Sequence, residues 1–550
     1  MRGGPAADPN GGTHTEAAVA AATRPEGALI LELKYPMRRR STPATPCVTI
    51  AGLAIAVAAS VASQPGAAQT ETEPEPLPLS LLTPSDRGLR SDVAWLVDRG
   101  VLSLPLGTWP LPSTALEAAS RGIDRQRLSR ADSDALERVE RARRRSTDAV
   151  RLAARVNSAR QPALDGSDAA RGAAGGTLAF YGGDADWGAQ LSLGVVGDSL
   201  SPDAPQGSLD GSYLAVRLPG TVVAGGAFDR WWGGDLFTSP LLSAAARPVA
   251  GLIVRRDVDT VPETDWLHWI GAWGYEVSAG RLAQYTPDGT RTLGLRLYTR
   301  PWPNVEIGLS RAILWAGEGR PQDWVAFRNA LLARSNIDSV ALQGEDPSNE
   351  ISGIDLRLST ADPWGGSWVG YLHIVGEDEA AGLPSKSFGT VGLQGKAVLS
   401  GQRLELTLEA TDTILSRMFG LGSNEKPAPA YTHSTYIDGY YQNRLPIGAN
   451  LGGGGYLYTL GLGWTSIDRP DHLRAFGTLF RGQASKTGPQ PINAAFGQPA
   501  SLSGLSLALE GEAAAGLKWQ LGLSVQRYDG SNRPVTGLVA GIDIPIAAGR

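Results

Sequence analysis

The chain of 550 residues holds one cysteine, Cys47, with only 3 methionines, 9 phenylalanines and 5 histidines. A lone thiol excludes a disulfide framework and any paired-cysteine metal site. The histidines after His14 (His268, His373, His433 and His472) stand at no ligand spacing and read as surface or interface residues. No charge of one sign dominates either: 50 Lys+Arg against 55 Asp+Glu leave a net charge of -5, with no basic block suited to nucleic acid. The sequence lacks His-Glu-x-x-His, a phosphate-binding glycine loop, a dinucleotide fingerprint and a Gly-x-Ser-x-Gly elbow. No catalytic residue, cofactor or metal is therefore expected, and the protein is read as a non-enzyme. Past residue 68 no apolar run is long enough for a spanning helix, so any membrane residence has to come from strands.

What is present begins with a leader. Met37-Arg38-Arg39-Arg40 precedes the apolar run from Val48 to Ala62 and a small-residue exit, Gly66-Ala67-Ala68. This is the layout of a secretory signal peptide over 37–68, and Cys47 falls inside it. Residues 1–36 carry no structural signal and are expected to be an untranslated or disordered extension, with the true start at Met37. A Glu/Pro/Thr-rich linker fills 69–84. Over 85–160 the period is helical. Leu89, Val93, Leu96 and Val97 share one face, Gly100 stops the first helix, and Thr114 with Glu117 has capping-box spacing.

From 177 to 550 the period is two. LELTLEATD alternates Leu404, Leu406 and Leu408 with Glu405, Thr407 and Glu409, and LKWQLGLSVQ repeats the scheme around Trp519 and Leu521. Strands of a parallel α/β sheet would be apolar on both faces. Two architectures fit: a soluble β-protein with its apolar faces packed inward, such as a propeller or lectin, or a transmembrane barrel with those faces in lipid. Long Gly/Pro/Asp-rich segments such as GEDPSNE and KTGPQPINAAFGQPA alternate with tight turns, as outer loops do. The 15 Trp and 14 Tyr crowd the strand ends (Trp187, Trp302, Trp315, Trp368, Trp464), as interface girdles require. No propeller-like repeat is visible. The expected fold is mainly β, a large antiparallel transmembrane β-barrel of roughly 16–18 strands preceded by a small α-helical domain.

Several ordered stretches then resemble one family, the Wzi capsule assembly proteins of the bacterial outer membrane. They are LRSDVAWLVDRGVLSLPLGTWPL (89–111), FDRWWGGDLFTSPLLSAAARPVAGLIVRR (228–256), LGLRLYTRPWPNVEIGLSRAILWAGEGRPQDWVAF (293–327), EISGIDLRLS (350–359) and YYQNRLPIGANLGG with its following strand. The resemblance implies an eighteen-stranded outer-membrane barrel over 177–550 and a helical periplasmic domain over 85–160. It also implies a lectin-like, non-catalytic role: binding capsular or other surface polysaccharide among outer-membrane lipid, alongside the polysaccharide export machinery. The alternatives are an outer-membrane porin or transport channel, or a secreted glycan-active enzyme.

Two blocks supply glycan chemistry. Asp229, Arg230, Trp231, Trp232 and Arg247 form one; Trp315, Glu318 and Arg320 form the other. Indole faces stack on sugar C–H patches, while Arg and the carboxylates bind hydroxyls or acidic sugars. The competing reading is structural. Neighbouring tryptophans on a strand point to opposite faces, so at most one faces the lumen, and the charges would be ion pairs inside the barrel. The chain also departs from the family pattern. Ala244-Ala245 stands where members commonly carry Asn-Asn, Ala316 replaces a usual Gly, and the C-terminus lacks an aromatic.

Overall fold

The computed structural model describes residues 77–547, except 163, 167–170, 202–203, 333–347, 363–364, 381–382, 416–426, 470, 514–515 and 529–532. The extension, the signal peptide with Cys47, the first half of the linker and the last three residues of DIPIAAGR lie outside the described residues.

Eighteen antiparallel strands close into one barrel, each hydrogen-bonded to its sequence neighbour. The last, Val535–Ala547, returns to the first, Val150–Asn157, with Asp543 opposite Ala153. The alternation read from sequence is the alternation of the wall. On Gln402–Asp412, Leu404, Leu406 and Leu408 are 36%, 45% and 51% exposed, while Arg403 and Glu409 on either side of them are 1% and 4% exposed. Leu521 is likewise exposed. Among the described residues nothing packs over Leu404, Leu406, Leu408 or Leu521; this face meets hydrocarbon.

The barrel starts earlier than expected. Val150–Asn157, VRLAARVN, lies within the stretch read as helical, yet it alternates Arg151, Ala153 and Arg155 toward the lumen with Leu152, Ala154 and Val156 outward. Arginine and alanine carry strong helix propensity, which masked the period of two.

Its two ends differ. One end carries tight turns, such as Leu218 to Thr221, Trp302 to Val305 and Leu399 to Gln402. The other carries the long connections 227–251, 315–348 and 412–456. Short turns face the periplasm and long loops the exterior in barrels of this kind. Trp187, Trp302 and Trp368 stand exposed at the short-turn end, as a girdle does.

The helical prefix sits inside the short-turn end. It comprises α1 (Arg87–Asp98), α2 (Ser113–Ser120) and α3 (Arg130–Arg145). The Asp86 side chain caps α1 by accepting from the Leu89 N–H. Gly100, at φ 73°, ends it: the Val101 N–H returns to the Leu96 carbonyl, a turn only glycine makes without strain. The Leu89, Val93, Leu96 and Val97 stripe is buried against α3, which contributes Leu136 and Val139. The capping box at Thr114 does not form. The Thr114 hydroxyl donates instead to Asp257 in a periplasmic turn, and Glu117 pairs with Arg121 and Arg143. Docking to the barrel outbids a local cap.

Candidate functional site

The lumen is filled from both ends, and the fillings meet halfway. From the periplasmic side, Thr108–Trp109 pairs with Trp231–Trp232, which descends from the long-loop end; Trp231 lies opposite Trp109. The Gly233 N–H donates to the Gly107 carbonyl at 2.9 Å. At φ 108°, Gly233 is wedged between Asp235 and His373 with no room for a Cβ. Above this, residues 428–455 form a second layer around Tyr431, Tyr436, Tyr440 and Tyr441. Asn443 and Arg444, both at positive φ, turn a short hairpin that pairs Tyr441–Gln442 with Leu445–Pro446. The Tyr431 hydroxyl donates to the Pro240 carbonyl and accepts from the Ala449 N–H, so the two loops are bolted together.

The wall grips this filling with charge. Asp92 on α1 meets Arg138 of α3 and Arg403 and Arg474 of the wall, all of them buried. These guanidiniums hold its carboxyl well below the usual range despite burial. Asp98 pairs with Arg357 and with Lys396 at 2.7 Å each. Glu306 accepts the Leu106 and Gly107 N–H groups at 2.8 Å, and Glu409 accepts those of Leu236, Phe237 and Thr238. His373, expected at a surface or interface, is fully buried; its Nδ1 lies 2.8 Å from Asp235. Burial raises the Asp235 carboxyl against the pull of that imidazole.

The eight residues singled out from sequence are scattered among these layers. Trp231 and Trp232 are each 1% exposed. Both lie inside the barrel, because they belong to the inserted loop and not to a wall strand, so the opposite-face argument does not apply to them. Trp232 donates its indole N–H to Glu276 at 2.9 Å; Trp231 packs among the helices beneath the Arg90 guanidinium, 4.2 Å from its ring. Neither indole face is open to a sugar. Asp229 is bound in a bidentate pair with Arg171, and Arg247 with Asp210. Arg230 lines a small pocket beside them, its guanidinium lowered by burial and supported by Glu276. Ala244-Ala245 are buried, and the Ala244 carbonyl accepts from Arg171.

The second block divides differently. Trp315 projects outward from the wall against Phe327. Glu318 is exposed at the long-loop end. Arg320 stands 6.0 Å over the Tyr436 ring, with its Nε and one terminal nitrogen buried and without a hydrogen-bond partner. Of the eight, Glu318 and Arg320 sit at the outer mouth with chemistry to spare.

Sequence reasoning missed a cavity of about 660 Å³ between the filling and the first and last strands of the wall. Small inward residues, Ala153, Gly175, Thr177 and Gly541, leave the space, and Arg87, Arg151, Lys518, Asp86 and Glu510 charge it. The Gly/Ala-rich strand AGGTLAF was the available signal. Among the described residues no group of three or more His, Cys, Asp or Glu is placed to hold a metal.

A family model described as "Capsule assembly protein Wzi" matches residues 141–532. A Klebsiella pneumoniae protein described as an uncharacterized 55.8 kDa protein in the cps region is 28% identical over 469 residues, 85% of this chain and 90% of that one. Among solved structures, Wzi from Escherichia coli is similar with a TM-score of 0.73 at 28% identity, over 85% of this chain and 99% of that chain. That protein is described as an outer-membrane, carbohydrate-binding β-barrel involved in group 1 capsule assembly.

Proposed function

The chain belongs to the Wzi capsule assembly family, and from that premise we propose that it binds exported polysaccharide at the cell surface without catalysing a reaction on it. It is an outer-membrane barrel. The observation that carries the reading is the likeness, across most of both chains, to a barrel described as carbohydrate-binding. The filled lumen supports it against the porin alternative. Two interlocked layers, clamped by buried ion pairs, occupy the space a pore would need.

The ligand surface we assign is the outer mouth at Glu318 and Arg320, above the buried Tyr436 ring. An unengaged guanidinium beside an aromatic ring suits the carboxylate of an acidic sugar, because Arg binds a carboxylate bidentately. Asp229, Arg230, Trp231, Trp232 and Arg247 shape the loop beneath it, and Trp315 sits on the outer wall; these six act through architecture. Loss of the gene should release polysaccharide into the medium with total synthesis unchanged. Titration of purified protein with acidic capsular oligosaccharide should show binding that Arg320→Ala weakens about tenfold, or ~1.4 kcal/mol. Unchanged cell-attached polysaccharide together with no glycan binding refutes the proposal. Binding that survives Arg320→Ala moves the site, and the cavity beside Arg151 is then the place to test.

A further inference from the structure

Helix α4 (Trp324–Leu331) lies on the outside of the barrel. Strands Arg291–Trp302 and Val305–Trp315 turn Arg296, Tyr298, Ser310 and Ala312 to the lumen, so Leu293, Leu297, Leu309, Arg311, Ile313 and Trp315 face outward. Lower on this face Leu297 and Leu309 are about half exposed, as lipid-facing residues are. Toward the long-loop end, Leu293 and Ile313 are buried instead, at 8% and 0% exposed. α4 covers them. Ala330, Phe327 and Leu331 pack on that pair, and Phe327 meets Trp315 edge-on at 5.1 Å. Arg311, a cation on the hydrocarbon side, is neutralised by Glu350 and donates to the Leu331 carbonyl at 3.1 Å.

The face turned away from the wall is exposed and mainly apolar: Trp324, Val325 and the capping Leu332 are 71%, 52% and 51% exposed. Two cations flank it. The Arg291 guanidinium stands 5.3 Å from the Trp315 ring, and exposed Arg328 follows Phe327 in the helix. Among the described residues of the helix and the wall beneath it, Glu350 is engaged with Arg311, and Asp323 caps the helix by accepting from the Ala326 N–H; exposed Glu318 lies on the loop beyond Trp315. This patch continues the lipid-facing wall through Leu297 and Leu309. It lies within a few residues of the strand ends, about 7–10 Å from them at strand rise, where headgroups meet acyl chains.

We propose that α4, with Arg291 and Arg328, is a binding site for an anionic, phosphate-bearing lipid of the outer leaflet. Its acyl chain lies along Trp324 and Val325, and its phosphate sits against the two guanidiniums. Phosphate matches the planar donor fork of Arg, and the apolar helix face supplies the burial that a free phosphate would not need. The site is separate from the outer mouth and does not rest on the glycan reading.

The test uses the full-length protein in detergent with bisphosphorylated lipid A as probe and phosphatidylcholine as control, read by native mass spectrometry. Wild type should retain lipid A in preference to phosphatidylcholine by about tenfold, and Arg291→Gln with Arg328→Gln should abolish that preference. Trp324→Ala should reduce retention of lipid A while excess inorganic phosphate displaces little of it. Both variants change exposed residues and should keep the heat-modifiable gel shift of a folded barrel. Equal retention by wild type and the double variant overturns the proposal. So does a complex of twice the mass that Trp324→Ala returns to monomer, since the helix face then belongs to a second copy.

Discussion

On the strand Gln402–Asp412, Arg403 and Glu409 reach inward to a carboxylate and a row of amide hydrogens, while Leu404, Leu406 and Leu408 between them meet hydrocarbon. The two faces of one wall are thus held by opposite physics. Outside, residues are nearly interchangeable provided they are apolar, because lipid imposes no particular shape. Inside, the charged groups that seat the filling have specific partners, Asp92 with Arg403 and Arg474 and Asp98 with Arg357 and Lys396, because an unpaired charge there is expensive. One exception outside is the patch under α4. There the wall carries Arg311, and it follows the inside rule at once: an ion pair, a carbonyl acceptor and a covering helix. Covering, not position relative to the wall, decides which rule applies.

The largest expected effect comes from breaking the inner rule. Asp92→Ala leaves Arg138, Arg403 and Arg474 facing one another without their shared carboxylate, which should destabilise the docked helices by about 3–5 kcal/mol. Limited proteolysis should then cut within 77–145, and a steady current should appear in planar bilayers where wild type passes little. The pH dependence has a definite sign. The Asp92 carboxyl is depressed in the fold, so its contribution is fully present above its ordinary value of 3.8 and fades only as pH falls below it. A plug released between pH 5 and 7 would have another cause. An Asp92→Ala protein as protease-resistant as wild type would mean that apolar packing alone seats the prefix.

Breaking the outer rule should cost somewhat less. Leu406→Arg puts a cation near the middle of a lipid-facing strand, a change worth about 2–4 kcal/mol at the bilayer midplane. It should lower the urea midpoint for unfolding from bilayers and leave the protease resistance of 77–145 untouched. If it loosened the prefix as Asp92→Ala does, the two faces would not be energetically separate.

How much of this was legible depended on which rule a residue obeys. Leu404, Leu406 and Leu521 announced the wall because lipid demands only a period of two, which a single strand displays. The stripe on α1 announced its buried face for the same reason at a period of 3.6. Asp92 and Asp98 carried no such signal. Their partners Arg403, Arg474, Arg357 and Lys396 are hundreds of residues away, and nothing local distinguishes a buried aspartate from a solvated one. The competing structural reading of Trp231-Trp232 puts the pair on a strand, because alternation is the only ruler a sequence offers, whereas the loop carrying it folds into the lumen. Helix α4 was hidden by its size: eight residues between a strand and a long loop show too few turns for a period.

Three tryptophans give the finest test of the contrast, because two lie inside, one with and one without a hydrogen-bond partner, and the third lies outside. Trp232→Phe removes the donor to Glu276, leaving a buried carboxylate oxygen without its 2.9 Å hydrogen bond, at a cost of about 1–3 kcal/mol. Trp231 is equally buried, but its indole nitrogen has no partner, so Trp231→Phe forfeits packing beneath Arg90 and little else, about 1 kcal/mol. Trp315→Phe, on the outer wall, keeps an aromatic edge against Phe327 and should change stability by about 0.5 kcal/mol or less. Urea midpoints should therefore fall in the order Trp315, Trp231, Trp232, with Trp232→Phe the least stable. Equal losses at Trp231 and Trp232 would show that shape alone governs the lumen. A loss at Trp315 matching Trp232 would mean that the α4 patch is packed as tightly as the core, with no shape-indifferent surface beside it for a lipid to use.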